Sequence, residues 1–86
     1  MKFVYSRHAL EEMARRRIPR DMADEVLRNP EQVMDEHSLR KCYQSRVYFE
    51  GGIVFLLRVI IDAATEPGVV ITLYRTSKIS KYWRAP

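Results

Sequence analysis

Two hydrophobic periodicities divide this chain. Between Ala9 and Leu27 apolar residues recur at helical spacing; from Val33 onward they alternate or run together, as strands do. In the first part Ala9, Leu10, Met13 and Ala14 share one face of a helix that starts at an N-cap Ser6 and extends to about Arg17. Glu11, Glu12, Arg15 and Arg16 occupy the rest, with Glu11–Arg15 and Glu12–Arg16 spaced for helical ion pairs. Ile18-Pro19 breaks this helix and Pro19 opens a second. Asp21, Asp24 and Glu25 lie toward its N-terminus, where carboxylates suit the helix dipole, and Met22, Ala23, Val26 and Leu27 form its apolar stripe. Asn29-Pro30 stops it. The connection is so short that the two must form an αα-hairpin. Ahead of them, Phe3-Val4-Tyr5 reads as a short edge strand.

In the second part Val33-Met34 begins a short strand, with Glu36-His37-Ser38 as a turn. A long strand from Leu39 to Phe49 follows, then Gly51-Gly52, a pair suited to a hairpin turn. Ile53 to Ile61 is apolar except for Arg58, as expected of a strand buried on both faces. After a loop at 63–68, Val69 to Arg75 forms the last strand, and Thr76-Ser77 can cap one or two helical turns through Trp83. The expected architecture is a single α+β domain spanning 1–86. It has a short N-terminal strand, a two-helix hairpin on one face of a three- to four-stranded antiparallel sheet, and a short C-terminal helical tail.

Strand alternation sorts the side chains by face. Ile53, Phe55, Leu57, Val59 and Ile61 form an unbroken apolar set assigned to the helix side, joined by Tyr43, Val47 and Phe49 and by Val69, Ile71 and Leu73. The opposite, open face would then carry Arg40, Arg46, Arg58, Tyr48, Thr72 and Tyr74. Arginines mixed with tyrosines can hold a phosphodiester and stack its bases, and a solvated antiparallel face has the same composition. Arg58 favours the first reading, because an arginine interrupting an apolar run needs an anion or water.

Charge sharpens the picture only through its distribution. The formal net charge is +4, but residues 1–20 hold six basic and two acidic side chains, residues 21–38 one and six, and residues 39–86 eight and three. Basic ends invite a polyanion, Arg16 and Arg84 included. The lone cysteine, Cys42, excludes an internal disulfide and reads as a packed side chain. The opening Met-Lys-Phe-Val-Tyr-Ser lacks an apolar h-region, and no apolar run approaches about 18 residues, so neither a signal peptide nor a membrane span is expected and the cytoplasm is the expected compartment. No His, Cys, Asp or Glu pair has zinc-ligand spacing, so no metal or cofactor is expected. His8, in the first helical turn, suits either proton transfer or a structural hydrogen bond. In the tail, Lys78 shares a helical face with Lys81 and Tyr82, while Ile79 and Trp83 pack back on the sheet, either as a binding surface or as a clasp.

Ser6-Arg7-His8-Ala9, Arg16-Arg17-Ile18, Val26-Leu27-Arg28-Asn29-Pro30 and Thr72-Leu73-Tyr74-Arg75-Thr76 resemble a small prokaryotic family called domain of unknown function 4258. Its pattern runs Ser-x-His-Ala, Arg-Gly-Ile, Asn-Pro and Thr-x-Tyr-Arg; here Arg17 stands at the Gly and Glu12 where an Arg is common. The element order is also similar to the RelE-like toxin fold and the BrnT toxins, with Lys78 and Tyr82 matching a basic residue and a tyrosine of the RelE tail, and Thr76 replacing an arginine. That resemblance implies a metal-independent endoribonuclease of a toxin–antitoxin pair, using the RNA 2′-OH as nucleophile. Its expected catalytic set is His8 as acid or base, Arg58, Arg75 and Lys78 around the phosphate, and Tyr74 or Tyr82 for stacking or proton transfer. Arg16, Arg40, Arg46, Tyr48, Lys81 and Arg84 would bind the nucleic acid. The implied partners are RNA, ribosome-bound mRNA included, and a cognate antitoxin, with a homodimer left open. A non-catalytic RNA- or ribosome-binding domain and a protein-interaction module are the alternatives.

Overall fold

The computed structural model describes residues 2–85. Strand β1 (Phe3–Tyr5) leads into helices α1 (Arg7–Arg15) and α2 (Arg20–Arg28). Strands β2 (Gln32–Asp35), β3 (Arg40–Tyr48), β4 (Val54–Asp62) and β5 (Gly68–Thr76) follow, and a single helical turn, α3 (Ile79–Tyr82), ends the chain. The α+β class and the two helices joined by a short connection stand as expected; α1 packs on β5 and α2 on β3 and β4. The sheet is larger and mixed: five strands in the order β1-β5-β4-β3-β2, with β1 parallel to β5 and the other pairings antiparallel. The two short strands expected at Phe3–Tyr5 and from Val33 stand at the sheet's two edges, each covering a longer strand; their partners and the parallel pairing of β1 were not expected. No helix among the described residues is long and apolar enough to cross a membrane.

The core lies between the helix pair and one face of the sheet. Ala9 and Met13 of α1, Ile18, and Ala23, Val26 and Leu27 of α2 meet Leu57, Val59 and Ile61 of β4, with Val70 and Leu73 of β5. At about 1.5–3 kcal/mol per fully buried large apolar side chain, the central strand β4 supplies more of the core than any other element. Ile53, expected inside, is 56% exposed because it stands at the hairpin turn before β4 begins. That turn spans Glu50–Gly52, with Gly51 and Gly52 both at positive φ, which only glycine adopts without strain.

A bulge in β5 reverses the expected facing of its first half. Ile60 pairs with Thr72 but Ile61 pairs with Val70, so Ile71 is the extra residue. Val70, not Val69 or Ile71, therefore enters the helix-side core. Ser6 accounts for the bulge. Its hydroxyl accepts from the Ala9 N–H at 3.0 Å as the α1 N-cap and donates to the Ile71 carbonyl at 3.1 Å, while its own N–H donates to the Val70 carbonyl at 3.0 Å. One serine thus caps the helix and satisfies an acceptor that the bulge would leave unpaired.

Helix α1 ends in a Schellman motif. The Ile18 N–H donates to the Met13 carbonyl (2.9 Å) and the Arg17 N–H to that of Ala14 (3.3 Å), while Met13 and Ile18 both join the core. The residue that turns the chain is Arg17, at φ +55°, a left-handed conformation that favours glycine. Two substitutions test these ends. Ser6→Ala should cost about 1–2 kcal/mol through the lost cap and the orphaned Ile71 carbonyl, and Arg17→Gly should gain about 1 kcal/mol by relieving the left-handed backbone. Urea and thermal melts of the variants check both, with about 5 °C expected per kcal/mol at this size.

Candidate nucleic-acid interface

The sheet face away from the helices is closed. Tail residues 79–84 fold back across it, and beneath them Arg58 is only 4% exposed. The register of the β3–β4 hairpin places Gln44 directly opposite Arg58, and that of β4–β5 places Tyr74 on its other side. Arg58 Nε donates to Gln44 Oε1 at 2.8 Å and Nη1 donates to the Tyr74 hydroxyl at 2.7 Å. Nη2 meets the Met34 sulfur at 3.5 Å and Glu36 Oε2 at 3.9 Å. The Tyr82 ring lies over the guanidinium, 4.4 Å from its carbon, and packs edge-on against Tyr74 with centroids 6.3 Å apart. The two groups that hydrogen-bond this buried cation at close range are both neutral, and its one carboxylate is distant and partly exposed. That is an incomplete match for a desolvated charge.

Gln44 links this centre to the tail. Its amide Nε2 donates to Gln32 Oε1 at 2.8 Å and to the Tyr82 carbonyl at 3.3 Å. Gln32 in turn donates to the Arg84 carbonyl and accepts from the Arg84 N–H. No residue of α3 is buried, so polar links and two aromatic rings, rather than a hydrophobic seat, hold the tail down. Burial raises the Tyr74 hydroxyl above its ordinary value, against the lowering effect of Arg58, so at neutral pH it is a proton donor. Cys42 is fully buried on the same face and burial pushes its thiol up to about 11, which makes it a packed, unreactive side chain.

Of the six residues expected to share a catalytic role, Arg58, Tyr74 and Tyr82 come together. Arg75 does not. It is paired with Leu57 on the helix side of the sheet, its guanidinium 4.3 Å from the Phe49 ring centroid and 5.0 Å from that of Phe55. The Tyr74-Arg75 dipeptide therefore serves opposite faces, as consecutive strand residues must. It is not the meeting point of the two faces. His8 is exposed on α1, on the helix side, and among the described residues its imidazole has no hydrogen-bond partner. Lys78 is exposed at the start of α3.

The expected binding residues are scattered too. Arg46 forms a double hydrogen bond with Glu31 and lies 4.2 Å from the Trp83 ring, so it helps to seat the tail. Arg16 is paired with Glu12, which also takes Arg15; the expected Glu11–Arg15 pair is absent, and Glu11 sits near Arg7 instead. Arg40, Lys81 and Arg84 are exposed, and Tyr48 is 72% exposed. The open face envisaged for Arg40, Arg46, Arg58, Tyr48, Thr72 and Tyr74 is thus not a continuous surface, because the tail covers its centre. Gln44, Gln32, Met34 and Glu36 were not singled out as site residues. A register centred on Gly51 would have put Gln44 opposite Arg58; nothing in the pattern marks the others.

Two clefts lie elsewhere. One of about 780 Å³ runs between α2 and β3, but both its arginines are paired within its own walls, Arg28 with Glu25 and Arg46 with Glu31, and Asp21 leaves the lining net negative. A second, of about 330 Å³, opens beside Arg75. A model of the family described as Domain of unknown function (DUF4258) matches residues 5–75. No curated protein and no solved structure matches the chain.

The paired carboxylates yield a pH prediction. Hydrogen bonds from Arg15 and then Arg16 hold Glu12 down at about 2, from an ordinary value of 4.5. A carboxylate depressed on folding contributes stability that is complete above its unfolded value and is lost as pH falls toward its folded one. Melting temperatures should therefore drop between pH 4.5 and 2, and Glu12→Gln should shrink that drop while Glu11→Gln leaves it largely in place.

Proposed function

This chain belongs to the family described as Domain of unknown function (DUF4258), and we propose that within it the protein is an RNA-directed, RelE/BrnT-like toxin-type protein whose Arg58 centre receives an RNA phosphate. The observation that carries this is the buried guanidinium itself: 4% exposed, hydrogen-bonded at close range to two neutral groups, and covered by a tyrosine ring. A phosphodiester would supply the missing anion through a two-pronged contact, and Tyr74 and Tyr82 would supply the stacking surface and a proton donor. Ligand entry would require the tail to lift, which its polar, half-exposed anchoring allows. The expected setting is the cytoplasm, with RNA as ligand and a cognate antitoxin as protein partner.

Binding is the first reading because the cluster around Arg58 offers charge and an acid, while its one carboxylate, Glu36, stands 3.9 Å off as the guanidinium's own counter-ion; His8 lies on the helix side, and Tyr74 stays protonated. Metal-independent cleavage through the 2′-OH is the second reading, favoured by Lys78 at the head of the tail, where lifting would bring a further cation to the rim. One experiment tests both: titration of a labelled oligoribonucleotide at several salt concentrations, with product analysis. We expect salt-dependent binding, about tenfold weaker in Arg58→Lys, which keeps the charge and loses the fork, and unchanged in His8→Ala. Equal affinity in wild type and Arg58→Lys would overturn the reading. Cyclic-phosphate products that disappear with a 2′-deoxy substrate would replace binding by cleavage.

A further inference from the structure

The cleft beside Arg75 is lined by Arg17, Phe49, Glu50, Ile53 and Phe55 among others, and its volume of about 330 Å³ falls in the range of small-ligand sites, about 300–1,000 Å³. Several features set it apart from the ordinary surface. Arg75 lies across the faces of two phenylalanines, and among the described residues it has no carboxylate partner. The rim exposes a large aromatic and a large aliphatic side chain, Tyr48 (72%) and Ile53 (56%). Arg17, also without an ion pair among the described residues, holds a left-handed backbone that glycine would adopt freely. A left-handed arginine at the helix end, where glycine would serve the turn at lower cost, puts a long cationic side chain at the cleft's wall.

We propose that this cleft is a second, independent site for a nucleoside monophosphate: Arg17 and Arg75 hold the phosphate, and the apolar lining, Ile53 and Phe55 among it, packs against the base. Two arginines against one acid, Glu50, leave the lining net positive, and the aromatic surface suits a planar base better than a bare anion. The site lies at the C-terminal end of α1 on the helix side of the sheet, whereas Arg58 is on the other face. His8, roughly 14 Å away along α1, takes no part. At Arg17 the protein therefore gives up backbone stability for a ligand contact.

Calorimetric titration with AMP, adenosine and inorganic phosphate tests this. Wild type should bind AMP more tightly than either fragment. Arg75→Gln and Arg17→Gly should each weaken AMP about tenfold, although Arg17→Gly melts higher than wild type, so loss of fold cannot explain its defect. Arg58→Lys should keep the AMP binding that depends on Arg17 and Arg75, which separates this site from the RNA centre. Absence of AMP binding at millimolar concentration, or equal binding by Arg17→Gly, overturns the proposal. So does concentration-dependent self-association that AMP does not affect, since a second copy would then be covering the rim.

Discussion

A guanidinium buried at the middle of the central strand dictates much of what surrounds it. Arg58 interrupts a strand that is otherwise core on both faces, and a charge so placed must find donors' partners nearby or destabilise the sheet. Gln44 and Tyr74 meet that demand from the neighbouring strands, Tyr82 shields it from above, and the Gln44–Gln32–Arg84 links hold the shield in place. The tail is therefore part of the arginine's solvation. This also explains how a four-residue helix with no buried side chain finds a defined seat.

The helix side is built on different physics. There the apolar stripes of α1 and α2 cover β4 and β5, and the polar detail is confined to ends: Ser6 capping α1 and satisfying the β5 bulge, Arg17 closing α1 with a Schellman turn. The two faces are consequently independent. A change at Arg58 acts on the tail and the sheet, whereas a change at Arg17 or Arg75 acts on the far cleft.

The separation of the faces also reorganises the functional reading. Residues adjacent in sequence, Tyr74 and Arg75, cannot belong to one site in an extended strand, so the motif they form combines two roles. His8 shares a helix with Arg17 but not a surface with Arg58. The Ser-Arg-His-Ala motif owes its serine to architecture; its histidine has no such account in the fold.

The sequence by itself determined the α+β class, the two successive helices with the Ser6 cap, the β3–β4 hairpin and the place of β4 as the central, most buried strand, because each rests on local periodicity or turn chemistry spanning a few residues. It also marked Arg58 as needing a partner. Only the tertiary structure decided that β1 runs parallel beside β5 and that β2 closes the far edge, since three- and four-residue strands carry too little pattern to declare a neighbour. The bulge at Ile71 belongs to the same class: it depends on a serine 65 residues away, and it turned Val70 inward in place of Val69 and Ile71. So does the closure of the presumed open face, which is set by amide hydrogen bonds from Gln32 and Gln44 to the tail backbone rather than by any apolar signal. Ile79 and Trp83 marked a tail that packs back on the sheet, but the pattern could not say that it covers the Arg58 face or that two glutamines hold it there.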